Sequence, residues 1–258
     1  MNMSNRTSLL IIIVILVLIV SSFFIRFVKD TFWWEKKILL GGKWYPQNIP
    51  FPKIIHQTWK TIDLNNEQQI VSDSWKNMYE GYDYILWTDE SIENFVHTHF
   101  SWYLPTWNRL DPFIKKIDCI RYMWMYVYGG IYADIDMKCL KSFDFENNDY
   151  YGAAFIPVVN PRVNWRFDSN TASPALVASY PRHDFWLHML EYISINCDRP
   201  VLKATGPCGL GNSLVSYMKK DYNDRQTVVL LNESKFGLGF GKRLAHKYTY
   251  HYNAGTWL

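Results

Sequence analysis

Residues 111–136 constrain the fold more than any other stretch. A helix-forming segment begins near Asp111 and runs to about Tyr128. Gly129-Gly130 stops it, and residues 131–135 then read as a short strand. Asp111 can cap that helix, and Pro112 suits its first position, where no N–H is needed. The surrounding pattern repeats the theme. Residues 53–57 and the alternating YDYILW at 82–87 read as strands, and 68–78 and 89–99 read as helices, the second with Asp89 as N-cap. Alternating strands and helices predict an α/β fold with a largely parallel sheet and helices on its faces. Ligands of such sheets collect at the carboxyl ends of the strands.

Composition narrows the class. The chain has 258 residues, 48% hydrophobic and 20% charged, so it is neither disordered nor collagen-like, and one globular domain is expected. Aromatic residues reach 17%, with 12 Trp and 18 Tyr, side chains that bury large areas and also stack on sugars and bases. A net charge of +3 is too small to argue for nucleic-acid binding. Cys119, Cys139, Cys197 and Cys208 form no C-x-x-C pair, which gives no zinc motif, and the chain is too long to need a disulfide scaffold.

Residues 9–20, LLIIIVILVLIV, are unbroken apolar, and Phe23, Phe24 and Ile25 extend the run past Ser21 and Ser22. As a helix, 9–25 spans about 25 Å, the short end of what crosses a bilayer. No A-x-A site follows, so the reading is an uncleaved anchor rather than a signal peptide. Arg6 precedes the run, while Arg26, Lys29, Lys36 and Lys37 follow it, a bias toward a cytoplasmic C-terminal part. The expected plan is a short tail (1–8), a transmembrane anchor (9–25), a juxtamembrane stem (26–48) with a turn at Gly41-Gly42, and one α/β domain (49–258).

The strand at 131–133 leads into Asp134-Ile135-Asp136. In extended chain, side chains two apart share a face, which predicts two carboxylates converging at a strand end. Unpaired, they repel and one tends to hold a proton; a hard divalent cation relieves this by accepting oxygen ligands. Alone, D-x-D is weak evidence. Asp118 and Arg121 strengthen it, because they lie three apart on one face of the preceding helix. The Gly-Gly turn can fold that helix back beside the strand, so that an Asp, an Arg and an acidic pair face one pocket. The plainer alternative for Asp118–Arg121 is a surface salt bridge.

The stretch IDCIRYMWMYVYGGIYADIDM resembles the sugar-binding region of family-32 glycosyltransferases, which include initiating α-1,6-mannosyltransferases and inositol-phosphoceramide mannosyltransferases. More distantly it resembles the glucosylating domains of large clostridial toxins. The shared pattern D-x-x-R-x-x-x-L-x-x-x-GG-x-Y-x-D-x-D falls here on Asp118, Arg121, Met125 in the Leu place, Gly129, Gly130, Tyr132, Asp134 and Asp136. Further similarity lies in IPFPKIIHQTWK, in SWKNMYEGYDYILWTDE with Gly81 near the usual Pro, and in Asn170 with ALVASYPRHDFW. Thr205-Gly206-Pro207 and the terminal HYNAGTW complete it. The likeness covers roughly residues 50–258 and implies a GT-A fold, a Rossmann-like nucleotide-sugar domain beside an acceptor groove.

The resemblance also implies roles. Asp136 looks like a direct metal ligand, with Asp134 contacting ribose, donor sugar and metal-bound water. His251 looks like a third ligand. Asp118 and Arg121 look like the donor-sugar clamp, and Tyr132 belongs to the same donor-binding set. Trp59 is placed to stack on the base, with a core Trp as the even alternative. His56, Gln57 and Thr58 fall at the pocket floor or form a structural strand end. Asn170 lies near the reacting sugar carbon, Thr256 and Trp257 reach the β-phosphate, and Thr205-Gly206-Pro207 is either part of the site or a turn.

The implied chemistry is metal-dependent retaining transfer of a hexose from a nucleotide sugar to a glycan, protein-linked glycan or lipid. The cation expected is Mn²⁺, with Mg²⁺ as the alternative. GDP-mannose, UDP-glucose, UDP-galactose and UDP-N-acetylglucosamine all fit the motif. A metal-dependent phosphoesterase and a membrane-anchored, non-catalytic nucleotide-sugar-binding module stay open as rivals. The family implies a type II protein with a Golgi- or ER-like lumenal domain, against the flanking charges, so the cytosolic face also stays open. Sequons at Asn5 and Asn232 offer a test of side.

Overall fold

The computed structural model describes residues 15–18, 20, 21, 36–46, 48–146, 151–158, 172–232, 235, 236 and 248–252. It divides into two units, Met1–Glu35 and Lys36–Leu258. In the first, residues 15–18, 20 and 21 are helical. Their apolar side chains Ile15 to Leu18 and Val20 are all exposed. Among the described residues no helix is long and apolar enough to cross a membrane. The rest of the 9–25 anchor reading lies outside them.

The second unit is a mixed α/β fold. Its strands are β1 (Lys36–Leu39), β2 (Ile54–Thr58), β3 (Asp83–Trp87), β4 (Gly130–Ala133), β5 (Met137–Cys139), β6 (Ala154–Val158), β7 (Leu176–Ser179), β8 (Val228–Asn232) and β9 (Thr249–His251). Its helices are α1 (Asn66–Met78), α2 (Asp89–His99), α3 (Leu104–Trp107), α4 (Ile114–Val127), α5 (Asp184–Asn196), α6 (Val201–Ala204) and α7 (Pro207–Met218). Seven strands form one sheet in the order β1-β8-β6-β7-β4-β2-β3, and β5 pairs with β9 in a separate ribbon.

The largely parallel sheet expected from the sequence is corrected. The pairs β2–β3, β2–β4 and β6–β8 are parallel, but β4–β7, β6–β7 and β1–β8 are antiparallel. β7 runs back between β4 and β6, a pairing that needs no crossover helix. The stem boundary moves as well. Lys36–Leu39, expected in the stem, is the edge strand on β8, and Gly42 N–H donates to the Tyr222 carbonyl at 2.7 Å.

Local signals explain most element ends. α1 opens on a capping box between Asn65 and Gln68. The N-cap of α2 is Thr88 rather than Asp89; Thr88 is extended and pairs reciprocally with Ser91, which leaves Asp89 in the first turn. α4 begins at Ile114 rather than beside Asp111, with Phe113 at the cap and a cis Asp111–Pro112 bond ahead of it. The α4–β4 turn needs both its glycines. Gly129 and Gly130 have φ of +64° and +83°, and a Cβ on Gly130 would stand 2.5 Å from the Ile54 carbonyl oxygen.

The sheet's two faces follow the strand period of two. Ile131 and Ala133 of β4, Phe155 of β6 and Val229 and Leu231 of β8 point into one core with Trp75 of α1 and Phe143, Phe145, Phe236 and Tyr248. Tyr132 points the other way, toward α4 and its Trp124. On that face Trp87 and Trp124 stack on each other at 4.8 Å, and the His56 ring lies beside them, nearly parallel and 6.1 Å from each. Trp87 Nε1 donates to His56 Nδ1 at 3.1 Å, so Nε2 carries the proton and donates to the Gly129 carbonyl at 3.0 Å. Burial then holds this imidazole down at about 4. Of the two roles open to His56, the structural one is what these contacts describe.

Candidate active site

The parallel strands β2, β3 and β4 end at one pole. Register pairs His56 with Tyr132, so Thr58 lies level with Asp134 at the carboxyl ends. The acidic pair does not sit on an extended face as the spacing predicted. β4 stops at Ala133, and Met137 N–H closes a turn on the Asp134 carbonyl at 2.9 Å. The turn is held from three sides. Gln57 Nε2 donates to the Asp134 carbonyl at 3.0 Å, Asp134 N–H donates to Ala175 at 2.8 Å, and Trp75 Nε1 donates to Met137 at 2.6 Å. Tyr84 Oη in turn donates to Gln57 Oε1 at 2.8 Å. Gln57 therefore braces the acidic turn through its backbone.

His251 arrives from the far end of the chain. Met137 pairs with His251 in the β5–β9 ribbon, and Tyr252 N–H donates to the Asp136 carbonyl at 3.0 Å. His251 Nε2 lies 3.0 Å from Asp136 Oδ1. Burial alone would lower this imidazole, but the hydrogen bond and charge of Asp136 raise it. One ligand atom each from Asp134, Asp136 and His251 lie within 4.8 Å of one another. Two carboxylate oxygens and an imidazole nitrogen, partly exposed, suit Mn²⁺ or Mg²⁺ as a donor set.

Behind this cluster lies a buried ion-pair chain. Arg121 of α4 reaches Asp118 Oδ1 and Asp134 Oδ1, both at 3.1 Å, and donates to the Pro174 and Ile117 carbonyls at 2.9 and 3.2 Å. Its guanidinium sits 4.7 Å from the Tyr132 ring centroid, and Tyr132 Oη donates to Asp134 Oδ1 at 2.7 Å. Most of the guanidinium's N–H donors are committed to the protein, and its side chain is 4% exposed. Arg121 thus aims two carboxylates more than it faces a ligand. Asp118 is pushed up to about 6 by burial, despite Arg121 and the Thr205 hydroxyl, which both favour its charged form. Thr205 Oγ1 donates to Asp118 Oδ2 at 2.9 Å. The Thr-Gly-Pro signal was visible in the sequence; its attachment to Asp118 was not.

Trp59 follows β2 at the same pole, partly exposed, with its N–H on the Trp87 carbonyl at 3.0 Å and the Lys60 ammonium 5.8 Å from its ring. Among its described contacts none reaches the aspartates. Asn170, Thr256 and Trp257 lie outside the described residues.

Residues 65–152 match the family model of the glycosyltransferase sugar-binding region containing a DXD motif. That segment is similar to the glycosyltransferase sugar-binding region over about a third of the chain. It holds Asp118, Arg121, Tyr132, Asp134 and Asp136. Inositol phosphoceramide mannosyltransferase 3 of Schizosaccharomyces pombe is 39% identical over 98 residues, 38% of this chain and 28% of that protein. Inositol phosphoceramide mannosyltransferase 2 of the same organism is 29% identical over 198 residues, 72% of this chain and 54% of that protein. The chain thus spans about half or less of these relatives' length. Among solved structures, the PaToxG glycosyltransferase matches with a TM-score of 0.51 at 16% identity, covering 65% of this chain and 70% of that one, a likeness of fold.

Proposed function

We propose that this chain is a metal-dependent glycosyltransferase of GT-A type that moves a hexose from a nucleotide sugar to a glycan or lipid. The observation that carries the reading is the convergence of Asp134, Asp136 and His251 beside the Asp118–Arg121 pair, at the carboxyl ends of parallel strands. The names of the relatives support mannose as the sugar, GDP-mannose as the first donor to try and an inositol-phosphoceramide lipid as the first acceptor. UDP-hexoses and glycan acceptors form the comparison panel.

Asp134, Asp136 and His251 would hold the cation, and when bound it supplies positive charge for the leaving diphosphate. The rest follows from the chain's own groups. Arg121 fixes Asp134 and Asp118 at one distance from each other, which preorganises two acceptors for donor hydroxyls. Tyr132 and Arg121 hold the same Asp134 oxygen, Oδ1, which fixes that carboxylate. Following the family resemblance, we assign retention of configuration, with the acceptor proton passing to the departing phosphate on the same face. Trapping of a glycosyl–enzyme adduct would overturn that step.

The test is nucleoside diphosphate release by the full chain from GDP- and UDP-sugars, with and without Mn²⁺, alongside Asp136→Asn. Release from one donor that needs metal and fails in the variant supports the reading. Release of inorganic phosphate would point to a phosphoesterase, and donor binding without turnover across an acceptor panel to a binding module. We also propose a type II anchor at 9–25. Asn232 is a poor reporter of side, because it is 3% exposed within β8; protease protection in sealed vesicles is the better measurement, and digestion of the sheet domain without detergent would refute a lumenal placement.

A further inference from the structure

We propose that Thr205 is a positioning residue for the donor sugar: it fixes the Asp118 carboxylate in the orientation that reads a sugar hydroxyl. The proposal rests on the transferase reading above and deepens it. Thr205 Oγ1 lies 2.9 Å from Asp118 Oδ2 and 3.4 Å from the Val201 carbonyl, so the shorter contact takes the hydroxyl proton. The residue is fully buried. Its carbonyl accepts from Tyr122 Oη at 2.7 Å. Asp118 and Tyr122 are four apart on α4, so the turn before α7 is tied twice to one face of that helix. Gly206 lets the turn approach. A Cβ there would stand 3.2 Å from Leu202 Cα and the Val201 carbonyl oxygen, and 3.6 Å from Asp118 Oδ2.

Asp118 is therefore held at both oxygens, Oδ1 by Arg121 and Oδ2 by Thr205. With one anchor gone the carboxylate can rotate, and a buried oxygen loses its donor. Rotation spoils the fit to a hydroxyl but leaves the Asp134, Asp136 and His251 cluster in place. Loss of Thr205 should thus weaken recognition of the sugar and spare recognition of the diphosphate.

The experiment compares Thr205→Val, which keeps shape and removes the hydroxyl, with Thr205→Ser, which keeps the hydroxyl. Both are made in the full chain, with GDP-mannose as probe, or the UDP-hexose that wild type turns over best. Donor KM, kcat, inhibition by the matching nucleoside diphosphate and the melting midpoint are read together. The expected result is a roughly ten-fold or greater rise in donor KM for Thr205→Val, the loss of one hydrogen bond to a charged group. Diphosphate inhibition stays within about two-fold of wild type, and Thr205→Ser restores KM. Wild-type KM in Thr205→Val overturns the proposal. So does a fall in kcat and melting midpoint with KM unchanged, or a Thr205→Ser as impaired as Thr205→Val. A wild type that turns over no donor overturns the transferase reading itself, and this proposal with it.

Discussion

Acidification from pH 7.5 to 5, without metal or donor, will destabilise the sheet domain by about 3 kcal/mol. Three buried groups decide the sign. His56 and His183 are each held at about 4 by burial, against 6.5 when unfolded. Both are locked neutral in the same way. In His183, Nδ1 accepts from the Phe185 N–H at 3.2 Å and Nε2 lies 2.9 Å from the Thr227 carbonyl oxygen. A proton on either Nδ1 would face an N–H. The stability each provides is present above pH 6.5 and is lost as pH falls toward 4. At pH 5 the unfolded imidazole is mostly charged and the folded one is not, a cost of about 2 kcal/mol per histidine. Asp118 acts in the opposite sense. Its folded value of about 6 exceeds the unfolded 3.8, so protonation favours the fold as pH drops through 6. By pH 5 that returns about 1 kcal/mol. The histidines win. His188, lowered by burial, acts with them, and His251, raised by Asp136, acts against them. The assay is thermal melting followed by tryptophan emission, because Trp87 and Trp124 both lie next to His56. At about 2–4 °C per kcal/mol the midpoint should fall by about 6–12 °C. A midpoint that holds or rises between pH 7.5 and 5 would refute the claim that these imidazoles are buried neutral.

Three further outcomes follow. Asp136→Asn should abolish metal-dependent nucleoside diphosphate release, at least about a hundred-fold, with a melting midpoint close to wild type in chelator. Arg121→Met removes the cation shared by Asp118 and Asp134, so it should cost about 3–5 kcal/mol by denaturant titration, and adding Asp118→Asn should recover part of that loss. Gly130→Ala should cost about 3 kcal/mol or more, since the new Cβ meets the Ile54 carbonyl oxygen at 2.5 Å, whereas Gly81→Ala, with φ of +82° and nothing within 4 Å, should cost about 1 kcal/mol. Equal losses at the two glycines would show that backbone conformation alone, without the clash, sets both.

The sequence by itself determined whatever depends on neighbours a few residues apart. The α4 helix, its arrest at Gly129-Gly130, the strands β2, β3 and β4 and the i, i+3 pairing of Asp118 with Arg121 all follow from periodicity, left-handed glycines and helix geometry. Those are short-range rules, so one segment contains both the cause and the effect. Thr88 could be mistaken for its neighbour Asp89 as a cap because both residue types suit the role and only backbone φ/ψ chooses. The acidic pair was legible as a pair, but not as a turn, since three distant donors and acceptors, Gln57, Trp75 and Ala175, bend the chain there. Tertiary structure alone decided the rest. Strand order has no local signal, so β7 between β4 and β6, and Lys36–Leu39 as an edge strand, could not be read from the chain. His251 meets Asp136 across 115 residues through the β5–β9 ribbon, and Thr205 meets Asp118 across 87. Residue types at those positions hinted at chemistry. Only folding brought the atoms within a bond's reach, because the enthalpy of each contact is realised after loop closure has joined segments with no sequence-local reason to meet.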